Sequence, residues 1–197
     1  MSRPAAFIDR DGVLNEERAF VHRPEDFAIV PGAIEALRLL QEAGYRLVVV
    51  TNQSGIARGL YREADYLALA AHMRLTLEAS GVRLDAVEYC PHLPDAPVAR
   101  YRVDCDCRKP RPGMLLKAIE ALDIEPRASF LVGDRLSDVE AGRAAGLGRC
   151  FLVRTGYELS REAMERADGV YDDLLACVRA VLNEIRPGSD PDPPDRS

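Results

Sequence analysis

The chain reads as an α/β protein: a parallel sheet flanked by helices. Three observations predict this. Short apolar runs alternate with amphipathic stretches along most of the sequence, the pattern of parallel strands joined by crossover helices. RLVVVTN at 46–52 is a β-branched run without polar alternation, as in a strand buried on both faces. Finally, 197 residues with 47% hydrophobic content suffice for one domain with a full core, or one domain with a modest insertion.

The elements follow in order. AAFID (5–9) is the first strand. PGAIEALRLLQEAG (31–44) carries Pro and Gly at its start and Ile34, Leu37 and Leu40 on one stripe, with Gly44 just past its C-cap. RLVVVTN is the second strand. A helix then runs from about Glu63 to Ser80, with Leu69, Met73 and Leu77 at i, i+4 and i+8 and Gly81 closing it. AVEYC (86–90) is the third strand, and an irregular segment from Pro91 to Pro112 separates it from the helix GMLLKAIEAL (113–122). SFLVGD (129–134), SDVEAGRAAG (137–146) and RCFLV (149–153) supply another βαβ unit. GVYDD and LLACVRAVLNEI add a short edge strand and a closing helix. From Pro187, PGSDPDPPDRS is polar and proline-rich and is expected to be disordered, which leaves 1–186 as a single domain.

Composition excludes several classes. A formal net charge of −6 argues against a nucleic-acid or anionic-membrane surface. No apolar run approaches the ~18–20 residues that span a bilayer, and the N-terminus lacks the apolar core of a signal peptide. A cytoplasmic monomer is expected. Its five cysteines then meet reducing conditions, where clustered cysteines mean metal more often than disulfide.

Polar residues collect at strand ends. Asp9 and Asp11 close the first strand in FIDRDG, Thr51 and Asn52 the second, and Asp134 follows FLVG. On a continuing strand Asp9 and Asp11 would project together and Arg10 away. Two neighbouring carboxylates repel unless a cation lies between them or one keeps its proton. Each feature has a plainer alternative: RDG as turn chemistry, Thr51 as a strand-end hydroxyl, Lys109 as a solvated charge, GDRLSD as a helix cap. In an open parallel sheet, however, the carboxyl ends of the strands form one crevice. There an Asp pair, a hydroxyl, a lysine and another Asp would meet.

The irregular segment has its own signal. CPH (90–92) and CDC (105–107) offer Cys90, His92, Cys105 and Cys107, a Cys3His set matching a closed structural Zn2+ site. Two buried cysteines with incidental neighbours, or a Cys90–Cys105 disulfide, are the alternatives. Zinc would organise a stretch with little apolar content and fix Arg108 and Lys109 directly after it. Cys150 and Cys177 read as core packing, and His72 as structural or surface.

FIDRDG, VVVTNQSG, CRKPRPG and LVGDRLSD resemble the four ordered motifs of the haloacid-dehalogenase-like phosphatase superfamily, which has a Rossmann-like sheet. DRDGVLN, FVH (20–22), TNQSGIARG, YCPH and CDCRKPRPGML resemble its heptose-bisphosphate phosphatase branch and the related histidinol-phosphate phosphatases. The similarity covers residues 5 to about 185. Val13 stands where many members have Thr, and Arg135 where Lys is common. The resemblance implies catalysis by Asp9 as nucleophile and Asp11 as general acid and base, with Thr51 and Lys109 holding the phosphoryl oxygens. It implies Mg2+ held by Asp9, Asp134 and the Asp11 carbonyl, and Asp138 serving Lys109 or a metal-bound water. Substrate contacts are implied from Arg10, from Glu17, Arg18, Ala19 and Phe20, from Asn52, Gln53 and Ser54, and from Arg108 and Arg135. The implied substrate is a small phosphorylated sugar, heptose 1,7-bisphosphate, in the supply of activated heptose for a bacterial envelope (a lipopolysaccharide precursor). Histidinol phosphate or another small sugar phosphate is the alternative, and a non-catalytic zinc-loop interaction module is the reading from a different class. Segments 15–50 and 53–108 each hold about one helix plus loop, too little for a separate cap domain.

Overall fold

A computed structural model describes residues 2–185 of the chain; the tail expected from Pro187 lies outside the described residues. The strands are β1 (Ala5–Ile8), β2 (Arg46–Asn52), β3 (Ala86–Cys90), β4 (Phe130–Gly133), β5 (Arg149–Val153) and β6 (Gly169–Tyr171). They form one sheet in the order β3-β2-β1-β4-β5-β6, parallel throughout. The helices are α1 (Ala33–Glu42), α2 (Ser54–Ala57), α3 (Glu63–Ala79), α4 (Gly113–Leu122), α5 (Leu136–Ala144), α6 (Arg161–Arg166) and α7 (Leu174–Ile185).

Strand alternation assigns the two faces. Ala6 and Ile8 of β1, Leu47 and Val49 of β2, Phe130 and Val132 of β4 and Phe151 of β5 pack against α1, α3 and α7, through Leu37, Leu40, Met73, Leu77 and Val178. Ala5, Phe7, Val48, Val50 and Leu131 point the other way, onto Met114, Leu115 and Ala118 of α4 and Ala141 of α5. With both faces covered, the central strands must be apolar at every position, which explains the unbroken runs. On α1, Ala33, Ala36, Leu37 and Leu40 are buried, a stripe at helical spacing, and Gly44 takes the left-handed conformation after it (φ +86°). Removing any one of the fully buried leucines, as in Leu37→Ala, costs about 2–5 kcal/mol.

The sheet order reverses beside β1, so the segments after β1, β2 and β4 emerge side by side at the carboxyl edge. A small satellite core of Ile56, Ala57, Tyr61, Tyr66, Ala96 and Tyr101 packs segment 91–112 against α2 and α3. Two short helices, α2 and α6, were not evident from the sequence, being too brief to show a period. One expectation needs correction: β1 ends at Ile8, and residues 9–15 form a turn in which Leu14 and Asn15 N–H both donate to the Arg10 carbonyl. Strand alternation therefore does not govern Asp9 and Asp11. Among the described residues no helix is long and apolar enough to cross a membrane.

Candidate active site

A cavity of about 510 Å3 opens at the carboxyl edge of the sheet. Asp9, after β1, hydrogen-bonds through its N–H to Val132 O of β4 (2.9 Å), which fixes it beside Asp134. Thr51 and Asn52 end β2. Lys109 enters from segment 91–112, its backbone clamped by the Asn52 amide: Nδ2 donates to Lys109 O (3.0 Å) and Oδ1 accepts from Lys109 N (3.1 Å). The Lys109–Pro110 peptide is cis.

The floor is buried and acidic. Lys109 Nζ lies 2.6 Å from Asp138 Oδ1 and 3.0 Å from Asp9 Oδ1, and donates to Val50 O at 2.9 Å. Burial opposes the charge on Lys109, but Asp138 and then Asp9 outweigh it and push the ammonium pKa up. Asp9 Oδ1 also accepts from Arg10 N–H (2.7 Å). Burial raises the Asp9 carboxyl well above its usual range; Lys109 opposes this, while Asp138, Asp134 and Asp11 add to it. Asp134 is pushed up to about 6, by burial first and by Asp138 second. Its Oδ2 accepts from Tyr157 N–H (3.0 Å), whereas Oδ1 is buried with no hydrogen-bond partner among the described residues. Oxygens of Asp9, Asp134 and Asp138 lie within 4.8 Å of one another. Three carboxylates thus cluster where one lysine pairs with two of them, and one buried oxygen of Asp134 is left without a partner among the described residues. This donor set suits a hard divalent cation.

The loop after β5 closes over this floor. Thr155 Oγ1 donates to Gly12 O (2.6 Å), and Gly12 adopts φ +82°, where a side chain is strained. A Cβ on Gly156 would fall 2.0 Å from Asp134 Oδ2. The backbone there must be bare for the carboxylate to keep its place.

The Asp11 carboxylate accepts from Arg10 (Nη2 2.8 Å), Asn15 Nδ2 (3.1 Å) and Gln53 Nε2 (3.0 Å). Of the expected substrate contacts, Glu17, Phe20, Asn52, Gln53, Ser54, Arg108 and Arg135 line the cavity with Asp9, Asp11, Thr51, Lys109 and Asp134. Three do not. Arg10 is 1% exposed and spends its guanidinium on Asp11 and Val21 O (2.8 Å); it braces the turn instead of meeting substrate. Arg18 is exposed and pairs with Glu16 (2.6 Å), and Ala19, exposed at φ +53°, gives its N–H to Glu17. Sequence reasoning missed Arg58, Tyr61, Ser137 and Tyr157, which also line the cavity. Tyr157 stacks under the Arg135 guanidinium, 3.5 Å from the ring centre. Arg58 lies within the quoted TNQSGIARG stretch, after β2, and Tyr157 beyond the end of β5; the carboxyl-edge rule applied to every residue of these segments would have pointed to both.

In segment 90–107 the four expected ligands converge. Cys90 Sγ is 3.5 Å from Cys105 Sγ, Cys107 Sγ is 3.1 Å from Cys105 Sγ and 3.4 Å from His92 Nδ1, and no disulfide forms. Ligands about 2.3 Å from one tetrahedral centre stand about 3.7 Å apart, so the set fits zinc. Arg108 Nη1 donates to His92 O (3.3 Å), tying the cluster to the cavity wall. Cys150 and Cys177 are buried in the core, His22 stacks on Tyr61 (4.7 Å between centres) and His72 packs edge-on to Phe27.

A haloacid dehalogenase-like hydrolase model matches residues 6–79 and a HAD-hydrolase-like model residues 106–177. A D-glycero-β-D-manno-heptose-1,7-bisphosphate 7-phosphatase of Escherichia coli K12 is 45% identical over 94% of this chain and 97% of its own. The chain belongs to the haloacid dehalogenase-like hydrolases. The Salmonella typhi protein of the same name is 47% identical over 93% of this chain and 97% of its own. The structure of a D,D-heptose 1,7-bisphosphate phosphatase from B. bronchiseptica, complexed with magnesium and phosphate, superposes with a TM-score of 0.79 at 35% identity, over 92% of this chain and 99% of that one. The chain thus shares its fold and its family with these hydrolases.

Proposed function

We propose that the chain is a magnesium-dependent phosphatase that removes the 7-phosphate of D-glycero-D-manno-heptose 1,7-bisphosphate through an aspartyl-phosphate on Asp9. One observation carries the reading. Asp9 Oδ1 is tethered by Arg10 N–H and Lys109, beside an unpartnered Asp134 oxygen, at the base of a cavity whose wall carries Arg58, Arg108 and Arg135.

Asp9 and Asp134, with the Asp11 carbonyl, would hold Mg2+, which when bound supplies the positive charge that lets a carboxylate approach a phosphoryl group. The chain's own residues do the rest. Lys109, kept charged by Asp138 and Asp9, and the Thr51 hydroxyl hold phosphoryl oxygens as charge redistributes. Asp9 forms a bond to phosphorus while the bond to the sugar oxygen breaks, and Asp11 gives that alkoxide a proton. Asp11 then takes a proton from water, whose oxygen displaces Asp9 from phosphorus. A sugar alkoxide leaves poorly, which is why a proton donor is needed. Three arginines on the wall favour a substrate with a second phosphate over histidinol phosphate, and the relatives named for heptose bisphosphate support the same choice. Cys90, His92, Cys105 and Cys107 would hold structural Zn2+, in keeping with a reducing cytoplasm. Steady-state assays against heptose bisphosphate, fructose bisphosphate and histidinol phosphate test the proposal. Highest kcat/KM on the first is expected, and a preference for histidinol phosphate would overturn it.

A further inference from the structure

Gln53 stood among the expected substrate contacts, yet its amide is fully committed inside the protein. It is 2% exposed. Nε2 donates to Asp11 Oδ2 (3.0 Å) and to Thr51 Oγ1 (2.8 Å), and Oε1 accepts from Tyr61 Oη (2.6 Å). Tyr61, 7% exposed, is itself fixed by the face of His22 stacked on it at 5° between planes. The amide could in principle be turned end for end. That would aim Oε1 at the Asp11 carboxylate, oxygen against oxygen, while the Tyr61 hydroxyl would turn from donor to acceptor. The Asp11 end selects the observed orientation, and the Tyr61 hydroxyl, donating to Oε1, holds it.

The consequence lies at Thr51. Its oxygen accepts from Gln53, and among the described residues no acceptor takes its own proton, so that proton is free to point into the cavity that Thr51 lines. We propose that Gln53 is a positioning residue: its amide, locked by the Tyr61 hydroxyl, aims the Thr51 proton at the phosphoryl group and holds Asp11 in place for proton transfer. This rests on the phosphatase reading above. It gives two residues of the cavity lining, Tyr61 and Gln53, a role exerted through Thr51 and Asp11. Releasing the amide leaves Asp9, Asp134 and Lys109 intact, so the loss falls on the chemical step and not on ground-state binding.

A double-mutant cycle tests this, with Tyr61→Phe, Gln53→Leu and both together, on heptose bisphosphate and on 4-nitrophenyl phosphate with saturating Mg2+. Tyr61→Phe keeps the ring and its stack on His22 and deletes only the hydroxyl, so folding is preserved. Its kcat should fall roughly 3–10-fold and that of Gln53→Leu roughly 30–100-fold, as for hydrogen bonds to neutral and charged groups respectively, with KM changed less than 2-fold. In the Gln53→Leu background Tyr61→Phe should change nothing further, because the amide it orients is gone. Losing aid to the leaving group, Gln53→Leu should also suffer more on the sugar phosphate than on the aryl phosphate. Additive losses, a loss confined to KM, or unchanged kcat in Tyr61→Phe would overturn the relay while wild-type turnover upholds the phosphatase reading. Absence of wild-type turnover on both substrates would overturn that reading and the relay with it.

Discussion

Gly156→Ala places one methyl where the Asp134 carboxylate stands. The new Cβ would lie 2.0 Å from Oδ2, 2.6 Å from Cγ and 2.7 Å from Cβ of Asp134, against the roughly 3.5–4 Å of an ordinary contact, so something must move by more than about 1 Å. Gly12 crowds the same corner: a Cβ there would be 2.5 Å from the same oxygen and 2.7 Å from Gly156 Cα, so no space is left between the carboxylate and either backbone. The carboxylate shifts or the β5–α6 loop lifts. That strains the Thr155 bond to Gly12 O and the Tyr157 N–H bond to Asp134. Overpacking costs about 1–3 kcal/mol and each of the two lost hydrogen bonds about 0.5–1.5, for roughly 2–6 kcal/mol in all. At about 2–4 °C per kcal/mol for a chain of this size, Tm falls by roughly 4–24 °C. Because Asp134 is displaced or loses its supporting donor, Mg2+ affinity read from the concentration dependence of turnover should drop by about 10–100-fold. Circular dichroism melts and a Mg2+ titration measure both. A Tm within 2 °C of wild type together with unchanged Mg2+ dependence would refute the claim that this bare backbone holds the carboxylate.

Three other outcomes are expected. Asp9→Asn should fold and lose turnover, since an amide is neither a nucleophile nor an anionic ligand, and Asp11→Asn should lose more on sugar phosphates than on aryl phosphates; steady-state rates on both substrates decide. Lys109→Met leaves Asp9 and Asp138 buried without their cation, so urea denaturation without metal should show a loss of about 3–5 kcal/mol, and activity should vanish. Purified protein should keep about one zinc per chain through dialysis that removes Mg2+, and Cys107→Ser should lose that zinc and weaken turnover by unseating Arg108 and Lys109, as elemental analysis with kinetics would show.

Much of the fold was legible because burial on both sheet faces forces unbroken apolar runs. RLVVVTN, AVEYC and RCFLV coincide with β2, β3 and β5, and glycines mark the ends of α1 and α3. The convergence of the candidate site was legible where its residues sit at strand ends or in tight motifs, as with Asp9, Thr51 and Asp134 at the cavity and with the cluster of Cys90, His92, Cys105 and Cys107. What failed had physical causes. Arg10 was read as pointing away from the two aspartates because the strand was extended through a turn that starts at its end; its burial against Asp11 is tertiary. Arg18 and Ala19 belong to a loop whose path depends on left-handed residues 19 and 20, which no local pattern announced. Tyr157 and Gly156 reach the floor only because the loop after β5 folds across Gly12. Asp138 is the carboxylate nearest Lys109, where the resemblance left Lys109 and a metal-bound water as alternatives.

In the proposed reaction Asp9 carries the phosphoryl group during turnover. Rapid acid quench of enzyme turning over radiolabelled heptose bisphosphate, followed by borohydride reduction and peptide mass analysis, tests it directly, because an acyl phosphate at an aspartate is reduced to homoserine. Acid-stable label on the protein is expected in the first turnover, with homoserine at position 9. Homoserine at position 11, 134 or 138, or full turnover with no labelled carboxylate, would contradict it.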